Sequence, residues 1–424
     1  QAPGYGCAGI IAETGPGVLH LRQGDRVACS GVGYACHAEL NSVPHQLITP
    51  VPDGVDLDEA AFVSLGAVAC QAVRRAAPSF GEIFIVSGLG LVGQLTVQVL
   101  KAAGCQVIGC DPLPFRRQLA ESLGADLSCA PEDLAEASWQ NSGGFGVDGV
   151  LVCAASKDSS AVNEALRACR QKGRVIVAGA VGMHLEREAL YLKELDFGLS
   201  CSYGPGRYNP LYEEQGLDYP IGHVRWTQGR NMAAFLLMIR DKRVQVRPLI
   251  HLQVSVDEAP AAYDAIQHRK EVIAALLEYP APAQQSAQTP FKRVYVLRAS
   301  PNKKKELAVS VFGAGAFASG ILLPALKGVP GCRLHSLACA TGLHAQKWAK
   351  RFQADACSTD YKELLKDPAL DAVFITTRHH LHKAMALDAI AAGKHVFVEK
   401  PLALTTEACE EICDAAQKQG VLLA

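Results

Sequence analysis

Two glycine-rich turns, Gly88-Leu-Gly90-Leu-Val-Gly93 and Gly313-Ala-Gly315-Ala-Phe-Ala318, stand more than two hundred residues apart in one chain. Each has the spacing that places a dinucleotide pyrophosphate over a helix N-terminus. The first glycine permits a tight strand-to-helix bend, the second lets backbone N–H groups approach phosphate, and the third small residue lets helix pack on strand. A spacing of this kind needs a strand before it and a helix after it to carry weight. Both occurrences have that context, because apolar runs at 83–87 and 309–312 precede them and amphipathic helices follow.

With 424 residues and 49% hydrophobic content, the chain has material for about three domains. Forty-one basic and forty-two acidic side chains leave a net charge of −1, which excludes the electrostatic footprint of a nucleic-acid or anionic-lipid binder. Small-molecule partners are expected, and a homo-oligomer is left open. No apolar run reaches membrane-span length and no signal-like segment opens the chain, so a cytoplasmic location is expected. The fifteen cysteines show no paired spacing and read as reduced core thiols. Cys29, Cys36 and His37 form a cluster, but their spacing matches no structural zinc site.

Residues 1–75 carry short β-type stretches punctuated by Gly and Pro, at 9–12, 25–28 and 46–51. From 76 to 205, short apolar strands alternate with helices: strands at 83–86, 106–109, 149–152 and 174–178, helices at 92–103 and 115–123. That alternation predicts a parallel, doubly wound sheet. A further strand is expected at 198–202. Residues 206–280, with a helix at 231–240 and a strand ending near 277, are expected to return to the first β-rich domain. Residues 281–305, rich in Pro, Gln and Ala and ending in Lys303-Lys-Lys305, read as a linker. A second strand-and-helix alternation follows over 306–424, with strands at 307–312, 333–338, 372–375 and 395–398 and an apolar helix reaching Leu326. The chain begins without Met and ends at 421–424 in what reads as a further buried strand, so both ends are expected to be cut.

Asp111 ends the second strand, eighteen residues after Gly93, where a carboxylate accepts adenosine-ribose hydroxyls and repels the extra phosphate of NADP. NAD is therefore expected at the first site, held by Gly88, Gly90, Gly93 and Asp111. Together with Gly24-Asp-Arg-Val27, Pro52-Asp-Gly-Val55 and Gly173-Arg-Val-Ile176, these residues resemble the medium-chain dehydrogenase/reductase family over about residues 1–280. The resemblance implies a GroES-like β domain, partial here, wrapped in sequence around a Rossmann domain, with hydride transfer in the cleft. Where zinc enzymes of that family carry Gly-His-Glu, this chain reads Gly4-Tyr5-Gly6, and a later cysteine ligand falls near Gly66. No zinc is expected. Tyr5 and His37 are the positional candidates to polarise a carbonyl, and Arg207, in the glycine-rich bend after the last strand, is a candidate anion contact.

The second turn lacks its acid: the next strand ends Ala338-Cys-Ala-Thr341-Gly342, which leaves NAD or NADP open. Thr377-Arg-His-His-Leu-His382 and Glu399-Lys400-Pro401 resemble the Gfo/Idh/MocA oxidoreductase family over about 306–424. The resemblance implies that Lys400 stands beside the nicotinamide, with Gly313, Gly315, Ala318, Thr377, His382 and Glu399 around the cofactor. A lysine at a strand C-terminus, partly desolvated, can exchange a proton with a substrate hydroxyl. The family's substrate-binding sheet would follow residue 424.

The fold class expected is α/β: two doubly wound Rossmann domains plus the partial β domain. The function expected is NAD(P)-dependent hydride transfer to or from a sugar-like or nucleotide-sugar hydroxyl or ketone, without zinc. The competing class is a non-catalytic nucleotide-binding or scaffold protein.

Overall fold

The structure, a computed structural model, describes residues 3–15, 17–280, 294–297 and 306–424. Nearly all of the expected linker, and Lys303-Lys-Lys305 with it, lies outside the described residues. Two compact units cover residues 1–281 and 282–424.

In the first unit, β1 (Gly6–Ile10), β2 (Arg26–Ser30) and β3 (Ile48–Pro50) form a small antiparallel sheet. Next comes a parallel sheet of β4 (Ile83–Ser87), β5 (Gln106–Cys110), β6 (Leu127–Cys129), β7 (Val147–Val152), β8 (Cys169–Val177) and β9 (Asp196–Leu199), in the spatial order 6-5-4-7-8-9. Counted from β4 this is the 3-2-1-4-5-6 order of a dinucleotide-binding sheet, with its reversal between β4 and β7. Strand alternation explains why the sheet is buried on both faces: Phe84 and Val86 of β4 enter one core, whereas Ile85 enters the other. Helix Leu91–Ala102 covers one face and helix Ser160–Ala168 the other.

Two local readings of the sequence need correction. Residues 1–75 are not β throughout, because Val63–Ala76 is a 14-residue helix. Its buried face is built largely of Ala, Gly and Cys, so its hydrophobic contrast is weak, although the Asp56-x-x-Glu59 capping box just before it was a readable start signal. The last strand of the sheet is Asp196–Leu199 rather than 198–202. Residues 206–280 return by packing rather than by pairing: β10 (Ile250–Ser255) and β11 (Ala274–Glu278) form a separate two-stranded parallel sheet. Helix Gln228–Arg240 lies on helix Val63–Ala76, with Phe235 filling the space over Gly66.

In the second unit, β13 (Leu307–Phe312), β14 (Cys332–Ala338), β15 (Ala356–Ser358), β16 (Ala372–Ile375) and β17 (His395–Val398) form a parallel sheet, flanked by the antiparallel β12 (Val294–Val296) in the order 12-15-14-13-16-17. Leu423 bridges Val396 in parallel, so the chain resumes strand pairing beyond β17. The helix after the second turn opens as a π-turn, Ala318–Leu322, before α-helix Leu323–Lys327. Pro324 has no N–H to give to a carbonyl four residues back, which interrupts the α pattern expected there.

The glycine turns are sterically enforced. Gly88 sits at φ +92°, and a Cβ on Gly93 would stand 1.9 Å from the Gly88 carbonyl oxygen, whereas one on Gly90 would meet nothing within 4 Å. Gly93→Ala is therefore expected to lower stability by about 1–3 kcal/mol, the usual cost of overpacking. Gly90→Ala should leave it nearly unchanged. Thermal melts of the two variants would show this, and equal melting temperatures would contradict the account of the turn.

Candidate active site

The first crevice opens at the C-terminal ends of β4, β7 and β8. Gly88 abuts the backbone of Ala154, and a Cβ on Gly179 would stand 2.0 Å from the Ala154 carbonyl oxygen, so the loops after β7 and β8 close on the glycine turn. A cavity of about 690 Å³ lies there, lined by Ala155, Ser156, Lys157, Ala180, Val181 and Gly182. Ligands of open α/β sheets bind at this position, outside the strand C-termini at the reversal of strand order. None of these six was singled out from sequence. The readable signal was the run of small residues directly after each of two buried strands.

Asp111 is buried, and its carboxylate accepts N–H bonds from Leu89 within the glycine turn (2.9 Å) and from Leu113 (2.9 Å). The Arg116 guanidinium lies 3.7 Å from the same carboxylate. The expected ribose acceptor thus also braces the turn that cradles the pyrophosphate.

Tyr5 and His37 lie on the β domain but have different neighbours. His37 packs against Gly4, and its Nδ1 faces the Tyr263 hydroxyl at 2.9 Å; desolvation holds the imidazole below its ordinary range, which favours the neutral ring. The Tyr5 phenol is pushed up by desolvation and lies in electrostatic range of Tyr203, itself raised to about 12 by burial. Both phenols stay protonated near neutral pH and remain hydrogen-bond donors. Arg207 is not a free anion contact: Nη1 is bonded to both carboxylate oxygens of Glu213 (2.8 and 3.1 Å), and the guanidinium stacks 4.0 Å over Tyr208.

Neither Tyr5 nor Gly66 supplies the imidazole or thiolate of a zinc ligand. The Gly66 position is filled by Phe235, whose ring would lie 2.3 Å from any Cβ there. Cys29 is hydrogen-bonded to its cross-strand neighbour Cys7, and Asn41 accepts from the Cys36 backbone N–H. Among the described residues no three His, Cys, Asp or Glu side chains converge as a metal would require.

In the second unit Gly313 has φ +94°, and its missing Cβ would stand 2.8 Å from the Thr376 carbonyl oxygen; Ala318 is buried, and Gly315 has open space over it. The Thr376 hydroxyl donates to the Gly313 carbonyl at 2.6 Å. Thr376, not noticed in the sequence, thus hydrogen-bonds the turn, while Thr377 packs its methyl over Gly313 and turns its hydroxyl to the sulfur of Met385. Glu399 extends strand pairing through its N–H to Ile375 at 2.9 Å. Lys400 stands at the C-terminal end of β17 as expected, but exposed rather than desolvated. His382 is fully buried with both ring nitrogens against backbone carbonyls, so its side chain braces the loops instead of reaching outward to a cofactor. Thr341 is exposed at the end of β14, where no carboxylate stands.

Comparison with known proteins places these two crevices. Residues 92–214 match the zinc-binding dehydrogenase family, and residues 307–424 match the oxidoreductase family with an NAD-binding Rossmann fold. An alcohol dehydrogenase of Geobacillus stearothermophilus is 29% identical across 42% of this chain and 60% of its own length. The D-guloside 3-dehydrogenase of Shigella flexneri is 27% identical across 60% of this chain and 70% of its own. The 1,5-anhydro-D-fructose reductase of Ensifer adhaerens is 49% identical across 15% of this chain and 20% of its own. The first of these relatives is thus matched over less than two thirds of its length. Among solved structures, 2R,3R-butanediol dehydrogenase from Bacillus subtilis superposes with a TM-score of 0.53 at 21% identity, over 64% of this chain and 79% of that one, which supports the fold. No helix among the described residues is long and apolar enough to cross a membrane. One chain thus carries, in separate segments, a match to a zinc-binding dehydrogenase family and a match to an oxidoreductase family with an NAD-binding Rossmann fold.

Proposed function

We propose that the chain is an NAD(P)-dependent dehydrogenase or reductase acting without zinc on a hydroxyl or ketone of a sugar-like or nucleotide-sugar substrate. The observation that carries this reading is the cavity at the C-terminal ends of β7 and β8, beside the point where Ala154 meets the Gly88 turn. The sugar-like class is supported by relatives named for a D-guloside and an anhydrofructose. That all fifteen cysteines are free is in keeping with a reducing, cytoplasmic setting.

In the first module, Gly88, Gly90 and Gly93 would admit the pyrophosphate and Asp111 the ribose hydroxyls of NAD. Bound there, the nicotinamide supplies the acceptor or donor of a hydride. The chain itself must hold the proton that accompanies it. Tyr5, a protonated phenol, and His37, a neutral imidazole linked to Tyr263, are the groups proposed to hydrogen-bond the substrate oxygen in place of a Lewis acid. In the second module, Gly313, Gly315, Ala318, Thr377 and Glu399 would form the surround of NAD or NADP, with His382 bracing the loops behind them and Lys400 as the proton-exchanging group.

Replacing Asp111 by Ala removes two hydrogen bonds to a charged acceptor, each worth about 1.5–3 kcal/mol. NAD affinity at the first site should fall by about a hundredfold or more, and calorimetric titration giving equal affinities would refute the assignment. With NADH absorbance followed against sugars and nucleotide-sugars, turnover should survive chelator treatment. Loss on chelation with recovery on added zinc would overturn the zinc-free reading, and NADH binding with no turnover on any substrate would favour the scaffold alternative. Lys400→Ala should abolish any rate that belongs to the second module, so an unchanged rate would remove Lys400 from that role.

A further inference from the structure

Where helix Val63–Ala76 meets the start of helix Gln228–Arg240, two guanidiniums lie on one indole. The guanidinium carbon of Arg74 stands 3.3 Å from the Trp226 ring centroid and that of Arg225 stands 3.9 Å from it, so the two positive charges lie within about 7 Å of each other. Neither side chain has an ion pair among the described residues. Half-buried arginines elsewhere in this unit are neutralised: Arg170 by Asp148, Arg174 by Glu82, Arg207 by Glu213 and Arg230 by Asp218. Burial, and less strongly the Arg225 charge, hold the half-buried Arg74 below the usual arginine range.

Long-range contacts hold this pair in place. Arg74 Nε donates to Asn231 Oδ1 at 2.8 Å, and Asn231 Nδ2 donates in turn to the Tyr203 carbonyl at 2.9 Å and to Gln71 Oε1 at 3.3 Å. Asn231 is fully buried, so the amide that orients the guanidinium is out of reach of water. Gly204 closes over the same amides at φ +106°, where a Cβ would stand 2.6 Å from Gln71 Oε1 and 2.8 Å from Asn231 Nδ2. Two residues after Trp226, the Gln228 N–H donates to the Pro205 carbonyl at 2.8 Å and ties the indole to that bend. With Nε engaged and its face on the ring, Arg74 has only its outer N–H groups left, and no acceptor among the described residues takes them. Stacking on an indole offsets part of the repulsion between the two cations. An anion at their outer edges would remove the rest.

We propose that Arg74 and Arg225, held on Trp226, form a binding site for a phosphate group, separate from the crevice at the Gly88 turn. A guanidinium presents paired N–H groups to two oxygens of an anion. A carboxylate has one such edge and can match one guanidinium. A phosphate has oxygens on several sides and close to two negative charges to set against two cations. The group recognised is the same in inorganic phosphate and in a phosphorylated sugar, and the test separates the two. The site does not rest on the function proposed above.

Trp226 supplies the readout. In the whole chain carrying Trp139→Phe and Trp348→Phe, it is the one indole that remains of three. Sodium phosphate added at constant ionic strength should change its emission saturably, and titration calorimetry on the unaltered chain should give the same dissociation constant. Arg225→Gln, at an exposed position, should weaken that binding about tenfold or more. Arg74→Gln should do the same, and if that variant proves unfolded, Arg225→Gln decides. Glucose 6-phosphate binding more tightly than inorganic phosphate would support the site and put its phosphate on a sugar, whereas equal affinities would support it as a site for the free anion. A response that chloride reproduces, or an unchanged affinity in Arg225→Gln, would overturn the proposal. Loss of the response when NAD saturates the Gly88 crevice would overturn it too, by placing the anion in the glycine turn. So would binding of an acidic peptide, dependent on Arg225, in a chain that phosphate leaves unaffected.

Discussion

The closeness of one backbone segment to another at the first glycine turn is the constraint from which the rest of the first unit follows. With 1.9 Å between the Gly88 oxygen and the place of a Gly93 side chain, helix Leu91–Ala102 can begin only where it does. Its N-terminus then lies over the C-terminal end of β4, and the loops after β7 and β8 must fold down beside it. Asp111 locks this arrangement from the neighbouring strand by accepting the Leu89 N–H. A buried carboxylate needs such donors to be tolerated at all, so the group that gives the crevice its charge also holds its shape.

The legible part of this fold was the part in which local pattern and tertiary need coincide. Strands β4, β5, β13, β16 and β17 are short, β-branched or apolar runs buried on both faces, and they stand within a residue of where the sequence puts them. Helix Val63–Ala76 was hidden for the opposite reason: packed between the sheet and helix Gln228–Arg240, it needs small residues on most of its surface. Gly66 beneath Phe235 is the clearest of these. Ala, Gly and Cys give a helix little amphipathic contrast, so periodicity is silent where packing is tightest.

In the sites, what sequence could show was which residues belong to the glycine turns, since backbone sterics leave few alternatives there. What it could not show was the direction of side chains set by long-range partners. Arg207 looked like a free cation in a loop until Glu213, six residues on, closed on it. Thr377 and Thr376 are indistinguishable in sequence, and only the path of the chain after β16 decides that Thr376 hydrogen-bonds the turn. Lys400 stands at the expected strand end, but its exposure depends on what surrounds the strand.

The two glycine turns share a left-handed first glycine and differ in their brace. At the first, the brace is the Asp111 carboxylate, from the strand on the adenosine side of the crevice, received on the N–H of Leu89. At the second it is the Thr376 hydroxyl, from the strand on the opposite side, given to the carbonyl of Gly313. Either brace holds a turn, but only the first leaves a formal negative charge where the 2′-oxygen of an adenosine ribose would lie. On the reading proposed above, a second phosphate at that oxygen would be disfavoured in the first crevice by charge repulsion. In the second unit, Thr341, three residues past β14, is exposed. Each turn is thus held by a hydrogen bond from a neighbouring strand end, to a carboxylate on one side in the first unit and from a hydroxyl on the other side in the second.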